Sequence, residues 1–278
     1  YDFTYVDGTL TVGKAMLTIT ADNKSRIYGA ANPALTVSYS GFVNGDTPAS
    51  ITAPSVSTAA TTASAAGTYP ITASGATSAN YNFTYVNGVL TVGKAVLTIT
   101  ADNKTKIYGA VNPGLTVTYS GFVNGDTPAS ITAPSVSTTA TTGSAAGTYP
   151  IVASSAASAN YTFTYVDGTL TVGKAMLTIS ADNKTRIYGA ANPALTVSYS
   201  GFVNGDTPAS ITVPSVSTTA TAASAAGTYP IVASGAASAN YDFTYVDGTL
   251  TVGKAMLTIT ADNKSRIYGA ANPALTVS

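Results

Sequence analysis

Apolar and polar residues alternate over short stretches of the chain, and each stretch occurs three or four times at a constant interval. The clearest examples in the first copy are LTITAD (17–22), ALTVSYSGF (34–42) and TYPITAS (68–74). An alternation of period two is typical of half-buried β-strands. Pro70 cannot donate to a strand ladder, so it favours an edge strand for the third segment. The pattern therefore predicts a mostly β protein built from repeats.

A turn signal divides the alternating segment YNFTYVNGVLTV (81–92), where Asn87-Gly88 separates two strand-like runs. Asp-Gly stands at the equivalent positions 7–8, 167–168 and 247–248. Both pairs favour a type I′ turn, in which both central residues have positive φ. We predict a two-residue hairpin in which Val86 faces Val89. This register puts Phe83, Tyr85, Leu90 and Val92 on the core face, with Thr84 and Thr91 on the solvent face.

Two further turns are indicated by ANP (31–33) and NG (44–45). The segment GDTPASI (45–51) has the signals that open a single helical turn, with Asp46 or Thr47 as cap and Pro48 in the first position. A plain loop is the alternative. Each repeat is thus expected to contain one short helical turn at most.

Cutting the chain after the glycine of VGKA gives three complete repeats, 14–93, 94–173 and 174–253. Residues 1–13 then match the C-terminal hairpin of a truncated repeat, and residues 254–278 match the N-terminal part of another. We expect the natural protein to be longer at both ends. Strand signals at intervals of about 8 to 12 residues predict a small β-sandwich or β-grasp-like domain in each repeat. A solenoid is less consistent, because a repeat of about 80 residues is long enough to close a modest core of its own.

The connection between successive repeats is short, since only GKAV separates a strand ending near Val92 from one starting near Leu97. This is too few residues for a flexible spacer, and it lacks a Gly/Ser-rich stretch. We predict that the domains touch end to end, with Tyr28 or its neighbours packing against the adjoining repeat. Each repeat should advance the array by about 35 to 45 Å, which predicts an extended rod of about 120 Å for three repeats.

Composition narrows the choice of partners. Only 9% of residues are charged, 12 basic and 12 acidic residues cancel, and every acidic residue is Asp. This balance gives no electrostatic reason to expect a nucleic-acid partner. The chain has no Cys and no run of 18 apolar residues, so it predicts neither disulfides nor a membrane span.

Catalysis is not expected. His, Cys and Glu are absent, which excludes Ser-His-Asp and Cys-His arrangements and a Glu acid-base pair. A Ser-Lys dyad of Ser25 and Lys24 is disfavoured, because adjacent residues of a strand point to opposite faces. We therefore predict that the protein is not an enzyme and has no catalytic residue and no cofactor.

Calcium and glycans are two further candidate ligands. Asp22, Asn23 and Asp46 are the candidate calcium ligands, but calcium takes six to eight oxygens and no DxDxDG loop is present. We interpret them as turn-capping residues and predict no metal site. The acceptor pattern for N-glycosylation occurs in every copy but is frequent by chance. Its matches are Asn23, Asn82, Asn103, Asn183 and Asn263.

Tyrosine is the residue most open to a binding role, since the chain has 18 Tyr and 7 Phe. Aromatic faces can stack on sugars or fill partner pockets. Phe83 and Tyr85 nevertheless fall on the predicted core face, and a domain without Trp needs Tyr and Phe as its largest core residues. We predict that the aromatic residues pack in the core or between repeats.

Three motifs together carry a family resemblance. LTITADNKSRIYGAANPALTVSYSGFVNGD (17–46), AAGTYPITASG (65–75) and SANYNFTYVNGVLTV (78–92) resemble the MBG domain of the YGX type. The naming triplet is Tyr28-Gly29-Ala30, and it returns at Tyr108, Tyr188 and Tyr268. The resemblance implies a tandem building block of large secreted bacterial adhesins, located outside the cell at its surface.

Two functions remain. The first is a structural stalk or filament-forming region that displays a distal adhesive part, with neighbouring repeats and other copies in a filament as its partners. The alternative is a multivalent module that binds glycans or host and surface proteins weakly and gains avidity by repetition. A binder should expose a recurrent aromatic or charged cluster, whereas a stalk should expose Thr, Ser, Asn and Ala. The sequence favours the stalk.

Overall fold

The structure is a computed structural model that describes residues 1–278. The first repeat contains seven strands: β1 (Ala15–Ala21), β2 (Lys24–Ile27), β3 (Val37–Ser40), β4 (Ser55–Ser57), β5 (Gly67–Ser74), β6 (Tyr81–Val86) and β7 (Gly88–Gly93). The second contains β8 (Ala95–Ala101), β9 (Lys104–Ile107), β10 (Val117–Ser120), β11 (Ser135–Thr138), β12 (Gly147–Ser154), β13 (Tyr161–Val166) and β14 (Gly168–Gly173). The third contains β15 (Ala175–Ala181), β16 (Lys184–Ile187), β17 (Val197–Ser200), β18 (Ser215–Thr218), β19 (Gly227–Ser234), β20 (Tyr241–Val246) and β21 (Gly248–Gly253).

The chain divides into two compact units, and the division falls inside the second repeat. The first unit holds Tyr1–Lys104, Gly114–Thr139 and Pro150–Leu170. The second holds Thr105–Pro113, Ala140–Tyr149 and Thr171–Ser278. Each unit therefore contains one complete repeat together with part of the second repeat.

In the first unit, the first repeat is a two-layer sandwich. One sheet has the strand order β3-β1-β6 and the other has the order β2-β7-β5-β4. Ile19 of β1, Ile71 of β5 and Leu90 of β7 are fully buried in one core between the two layers. In the second unit, the third repeat has the same two sheets, β17-β15-β20 and β16-β21-β19-β18. The predicted β-sandwich is confirmed.

The predicted helical turn is also confirmed, as a 3-10 turn at Pro48–Ser50, Pro128–Ser130 and Pro208–Ser210. The amide of Ser50 donates to the carbonyl of Thr47 at 2.8 Å, and the Thr47 amide donates to the Ser50 hydroxyl at 3.2 Å. Proline occupies the first position of the turn, where its missing N–H costs nothing. No longer helix is present, so the β-grasp-like alternative does not apply.

The predicted hairpin at Asn87-Gly88 is wrong. Asn87 links β6 to β7, but the two strands belong to different sheets, and neither Asn87 nor Gly88 has positive φ. Instead β6 pairs in parallel with β1, while β7 pairs with β5 and β2. The facing sheets still bring the four predicted apolar residues into one core, with Thr84 and Thr91 exposed. The alternation therefore predicted the faces correctly although the pairing was wrong.

The turn with positive φ at both residues lies instead at Asn44-Gly45, with φ of 55° and 79°. The Asp46 amide donates to the Val43 carbonyl at 3.0 Å, which closes a turn of the I′ type. Gly88 is needed for a different reason. A Cβ at Gly88 would lie well inside 3.0 Å of the Ala21 carbonyl oxygen, at the point where the chain crosses between sheets.

Pro70 does not lie in an edge strand, which corrects the prediction, because β5 has β7 on one side and β4 on the other. The pairing of β4 extends only over Thr72, Ala73 and Ser74 of β5. Pro70 therefore lies beyond the end of β4, where β5 has no pairing partner on that side. The proline is accommodated by a short neighbour instead of by an edge position.

Residues 1–14 form no strand, so the hairpin expected for 1–13 is not present. Residues 254–278 contain only an isolated bridge between Ala261 and Val277. In a complete repeat, β6 and β7 pair with β1, β2 and β5 and not with each other. Because these two segments do not pair with each other in a complete repeat, a hairpin of residues 1–13 is not expected from the fold.

The first and last segments of each repeat run side by side in parallel with one register. In the first repeat the pairs extend from Ala15↔Tyr81 to Thr20↔Val86 and resume from Lys24↔Leu90 to Ile27↔Gly93, always with the same sequence offset. In the third repeat they extend from Ala175↔Tyr241 to Ser180↔Val246 and from Lys184↔Leu250 to Ile187↔Gly253. We call residues 15–27 with 81–93, and residues 175–187 with 241–253, the terminal ribbon.

Candidate functional site

The junction between repeats is the candidate functional site. Only Lys94 separates β7 of the first repeat from β8 of the second. Its Nζ donates to the Ser158 carbonyl at 2.9 Å. The chain therefore passes from one sandwich to the next without a flexible linker, as the sequence predicted.

A carboxylate shared by two tyrosines forms the centre of the first junction. The hydroxyl of Tyr28, from the first repeat, donates to Asp126 Oδ2 at 3.1 Å. Tyr161, from the second repeat, donates to the same oxygen at 2.7 Å. The two rings pack edge to face, with centroids 5.6 Å apart. We call Tyr28, Asp126 and Tyr161, with their equivalents, the Tyr-Asp-Tyr cluster.

The second repeat contributes an aromatic and aliphatic surface around this carboxylate. Phe122 packs edge to face on Tyr161 at 5.7 Å, and the Val123 amide donates to the Tyr161 hydroxyl at 3.0 Å. Asn124 and Gly125 have φ of 56° and 75°, so the I′ turn returns here and brings Val123 and Asp126 close together. The motif GFVNGD thus builds the receiving half of the junction.

The triplet Tyr28-Gly29-Ala30 builds the other half. Gly29 has φ of +83°, and a Cβ built on it would lie 2.6 Å from Val123 Cγ2. Only glycine permits this close approach together with the left-handed conformation. The side chain of Val123 therefore packs directly against the Gly29 backbone, while the neighbouring Tyr28 reaches Asp126.

Two polar contacts flank the cluster. Asn124 Nδ2 donates to the Thr62 carbonyl at 3.0 Å, and the Ala66 amide donates to Asn160 Oδ1 at 3.0 Å. Both contacts join the first repeat to the second. Together with the cluster they hold the two sandwiches at several separate points.

The second junction repeats the first. Tyr108 and Tyr241 donate to Asp206 Oδ2 at 3.0 and 2.8 Å, and their rings pack edge to face at 5.6 Å. The Ala146 amide donates to Asn240 Oδ1 at 3.0 Å, as in the first junction. One contact differs, because Asn204 Nδ2 here donates to the Tyr108 hydroxyl at 3.2 Å. Two junctions of nearly identical sequence thus adopt the same geometry.

The receiving half forms without a partner. In the first repeat, where residues 1–14 form no strand, Tyr81 still donates to Asp46 Oδ2 at 2.8 Å and accepts from the Val43 amide at 3.1 Å. The donating half, in contrast, is buried only by the following repeat. Tyr28 and Tyr108 are 5% and 4% exposed, whereas Tyr188, which is followed by residues 254–278 without a sheet, is 50% exposed.

Alkaline pH should weaken the junctions. Burial, with the neighbouring Asp126 carboxylate, raises the pKa of Tyr161 from its ordinary value near 10 to about 12, against a lowering by the Val123 amide. Burial raises the pKa of Tyr241 likewise. Because the folded pKa exceeds the unfolded one, this stabilisation is complete below pH 10 and is lost as pH rises towards 12. Melting temperatures across pH 8 to 12 should fall steeply above pH 10.

The matched control for this prediction is Tyr161→Phe, which keeps the ring and removes the ionising hydroxyl. Its melting temperature should be lower than that of the wild type at pH 8, and the difference should narrow above pH 10. If the difference in melting temperature between the two proteins stays constant to pH 12, ionisation of Tyr161 is not the cause of the loss of stability.

The residues considered as candidate calcium ligands have hydrogen-bonding roles in the fold. Asp22 Oδ2 accepts from the Thr36 hydroxyl at 2.5 Å, and Asn23 Oδ1 accepts from the Val89 amide at 2.7 Å. Asp46 accepts from Tyr81. The structure does not bring three acidic side chains together anywhere in residues 1–278. Lys24 is half-buried and Ser25 exposed on β2, and Phe83 and Tyr85 are half-buried beside the core.

Sequence reasoning missed a buried cation in each complete repeat. Arg26 is 9% exposed and has no carboxylate partner; it donates from Nε to Asn32 Oδ1 at 2.7 Å and from Nη2 to the Thr61 carbonyl. Asn32 Nδ2 then donates to the Ala60 carbonyl at 2.6 Å. The signal was available, since a basic residue recurs at this position in a chain with few charges.

In the second repeat a lysine, Lys106, replaces this arginine. Lys106 Nζ donates to the carbonyls of Ala110 and Thr141, and Asn112 Oδ1 is left buried without a hydrogen-bond partner. Lys106→Arg should supply the missing donor and stabilise this repeat by about 1 kcal/mol. The change in unfolding free energy is measured by chemical denaturation, with hydrogen exchange of amides in the second repeat as the readout. Arg26→Lys should destabilise the first repeat by a similar amount. If neither variant changes the unfolding free energy, the arginine-asparagine hydrogen bond does not contribute to stability.

The family model of the MBG domain (YGX type) matches residues 17–91, 97–171 and 177–251. The chain belongs to this family. The resemblance inferred from the three motifs is therefore confirmed, and the structure gives the YGX triplet of these MBG domains a physical role. Tyr28 and Gly29, and likewise Tyr108 and Gly109, are among the residues that contact the next domain.

Among solved structures, one similar to the chain is described as three N-terminal domains of the bacteriophage RB49 Highly Immunogenic Outer Capsid protein (Hoc). The identity is 11%, the match covers 88% of this chain and 100% of that chain, and the TM-score is 0.22. At that score we infer no property of the MBG domains from it. No curated protein matches the chain. None of its helical turns is long and apolar enough to cross a lipid bilayer.

Proposed function

We propose that the three MBG domains are part of a structural stalk in a secreted bacterial adhesin, located outside the cell at its surface, that displays a distal adhesive region. The observation that supports this most is the repeated junction. A one-residue linker, a shared carboxylate and a glycine-valine contact recur with nearly the same distances at both junctions. Such a contact restricts the orientation of each domain relative to the next. The adhesin role and the extracellular location are carried over from what membership in the MBG family implies.

The surface of the complete domains also supports a stalk more than a binding module. Outside residues 1–13 and 254–278, the only aromatic side chain among the exposed large apolar residues is Tyr188. Tyr188 belongs to an unpaired donating half of a junction. A recurrent solvent-facing aromatic cluster, which a multivalent glycan binder needs, is therefore not found in the complete domains.

Distance measurements between spin labels test the stalk. Thr84 and Thr164 are exposed and occupy equivalent positions in the first two domains. Because the chain has no Cys, the double variant Thr84→Cys/Thr164→Cys carries spin labels at these two positions and nowhere else. We expect a narrow distance distribution, which should broaden in an Asp126→Ala background because both tyrosines lose their acceptor. The rod of about 120 Å that the sequence predicts for three repeats is tested by small-angle scattering of the full chain.

A broad distribution in the protein without Asp126→Ala would overturn the stalk, since the junction would then not restrict orientation. A specific ligand on a glycan array, bound by the full chain and lost when exposed residues of the domains are changed, would favour the multivalent module instead.

A further inference from the structure

We infer that each MBG domain is built to bear tension along the chain, and that the terminal ribbon is the part that resists it. This deepens the proposed stalk role by giving the domain a mechanical property. It concerns the inside of one domain, so it does not depend on how rigid the junctions are.

The covalent path of tension enters and leaves a domain through its backbone ends. In the first domain these are Ala15, which follows Lys14, and Gly93, which precedes Lys94. Ala15 lies at one end of the ribbon beside Tyr81, while Gly93 lies at the other end beside Ile27. The two chain ends therefore leave from opposite ends of the same parallel ribbon. Each of its two segments spans about 40 Å when extended.

This arrangement sets the direction in which the strands are pulled. Residues 15–27 are drawn backwards along their own axis towards the preceding domain. Residues 81–93 are drawn forwards towards the following one. The two strands must slide past each other, so the inter-strand hydrogen bonds of the ribbon are strained together and not one after another. Rupture then requires many bonds to break in one step.

The ladder of the ribbon continues across the crossing between sheets. Asn23 Oδ1 accepts from the Val89 amide where the backbone pairing pauses, with the sequence offset that the paired residues also have. The Ala15 amide donates to the Asn80 carbonyl at 2.9 Å, and the Tyr28 amide donates to the Gly93 carbonyl at 2.8 Å, which extend the ladder at its two ends. In the third domain Asn183, Ala175 and Tyr188 make the equivalent contacts.

Packing prevents a gradual slip. Leu17 and Ile19 of one strand and Leu90 of the other are fully buried, alternating with polar residues that face outwards. If one strand shifted its register by one residue, its outward-facing polar side chains would point into the core. In addition, β1 is flanked on its other side by β3, and β7 by β5. The ribbon therefore has one register that it either keeps or loses entirely.

Single-molecule force spectroscopy on the full chain tests the inference by changing only the direction of pulling. Handles on Lys14→Cys and Lys94→Cys pull the ribbon of the first domain lengthwise. Handles on Lys14→Cys and Ala79→Cys pull Ala15 away from Tyr81 at one end, so that β1 unzips from β6. Thermal denaturation checks that the two variants are equally stable. We expect a several-fold higher rupture force for the lengthwise pair at the same loading rate. Equal forces would overturn the inference.

A second pair of variants separates the ribbon from general stability. Asn23→Ala removes the bridging acceptor and should lower the lengthwise rupture force. Val56→Ala lies on β4, outside the ribbon, and should leave that force unchanged at a similar loss of melting temperature. If both lower the force in proportion to their thermal effect, the ribbon has no special mechanical role. A broad distribution of spin-label distances together with a high lengthwise rupture force would contradict the proposed stalk but support this inference.

Discussion

Gly88→Ala should lower the unfolding free energy of the first MBG domain by about 3 kcal/mol, the upper end of the cost that is typical of overpacked sites. The new methyl group would lie against the backbone carbonyl of Ala21, which has no flexible side chain to move away. Gly88 is buried at the crossing of the terminal ribbon, so relief would require both strands to separate. The same change at Gly168 or Gly248 should act on the second or third domain.

Gly93→Ala in the same strand is the control. The nearest atom to its added Cβ is the Arg26 carbonyl oxygen at 3.7 Å, an ordinary contact, and its φ is not positive. We expect a change within about 0.5 kcal/mol. Hydrogen exchange of β1 and β7, with calorimetry of the full chain, measures both variants. Equal protection of the β1 and β7 amides in the two variants would mean that the backbone at the crossing moves enough to accommodate the new methyl group.

Gly29→Ala should uncouple the first domain from the second. The added Cβ would lie 2.6 Å from Val123 Cγ2, so the junction must open and Tyr28 must retreat from Asp126. The spin-label pair at positions 84 and 164 should then show a broad distribution of distances. Calorimetry should show the first domain unfolding at a lower temperature, since its junction contacts are lost.

Gly189→Ala separates this effect from backbone strain. Gly189 has nearly the same φ, +86° against +83°, but nothing lies within 4 Å of its Cβ position. Its variant should show only the strain of a non-glycine residue with positive φ, about 1 kcal/mol. If the two variants behave alike, the glycine of the triplet is required for its conformation alone and the contact with Val123 is not important.

Several features of the fold follow from local chemistry and were predicted from the sequence alone. The two-residue alternation specified which side chains face the core, because the period of a strand is the same whichever strand it pairs with. Proline and the neighbouring threonine predicted the 3-10 turn at Pro48–Ser50. The constant repeat period and the short GKAV segment predicted three domains without flexible linkers.

The choice of strand partners depended on the tertiary structure. Asn87-Gly88 has the residues of a type I′ hairpin, but β6 instead pairs in parallel with β1, and β7 pairs with β2 and β5 in the facing sheet. The dipeptide signal reports only the preference of two residues. It cannot weigh that preference against partners at the opposite end of the repeat.

The candidate site was predicted in part. The sequence pointed to Tyr28 as a junction residue, and the structure confirms it. The acceptor is Asp126, which lies 98 residues further along and belongs to another domain. The sequence had suggested its equivalent, Asp46, as a cap or a calcium ligand. Sequence periodicity determines that such a contact will recur once it exists, but only the packing of two folded domains decides which carboxylate a tyrosine reaches. The reason is that hydrogen bonds between domains depend on distances that no local pattern encodes.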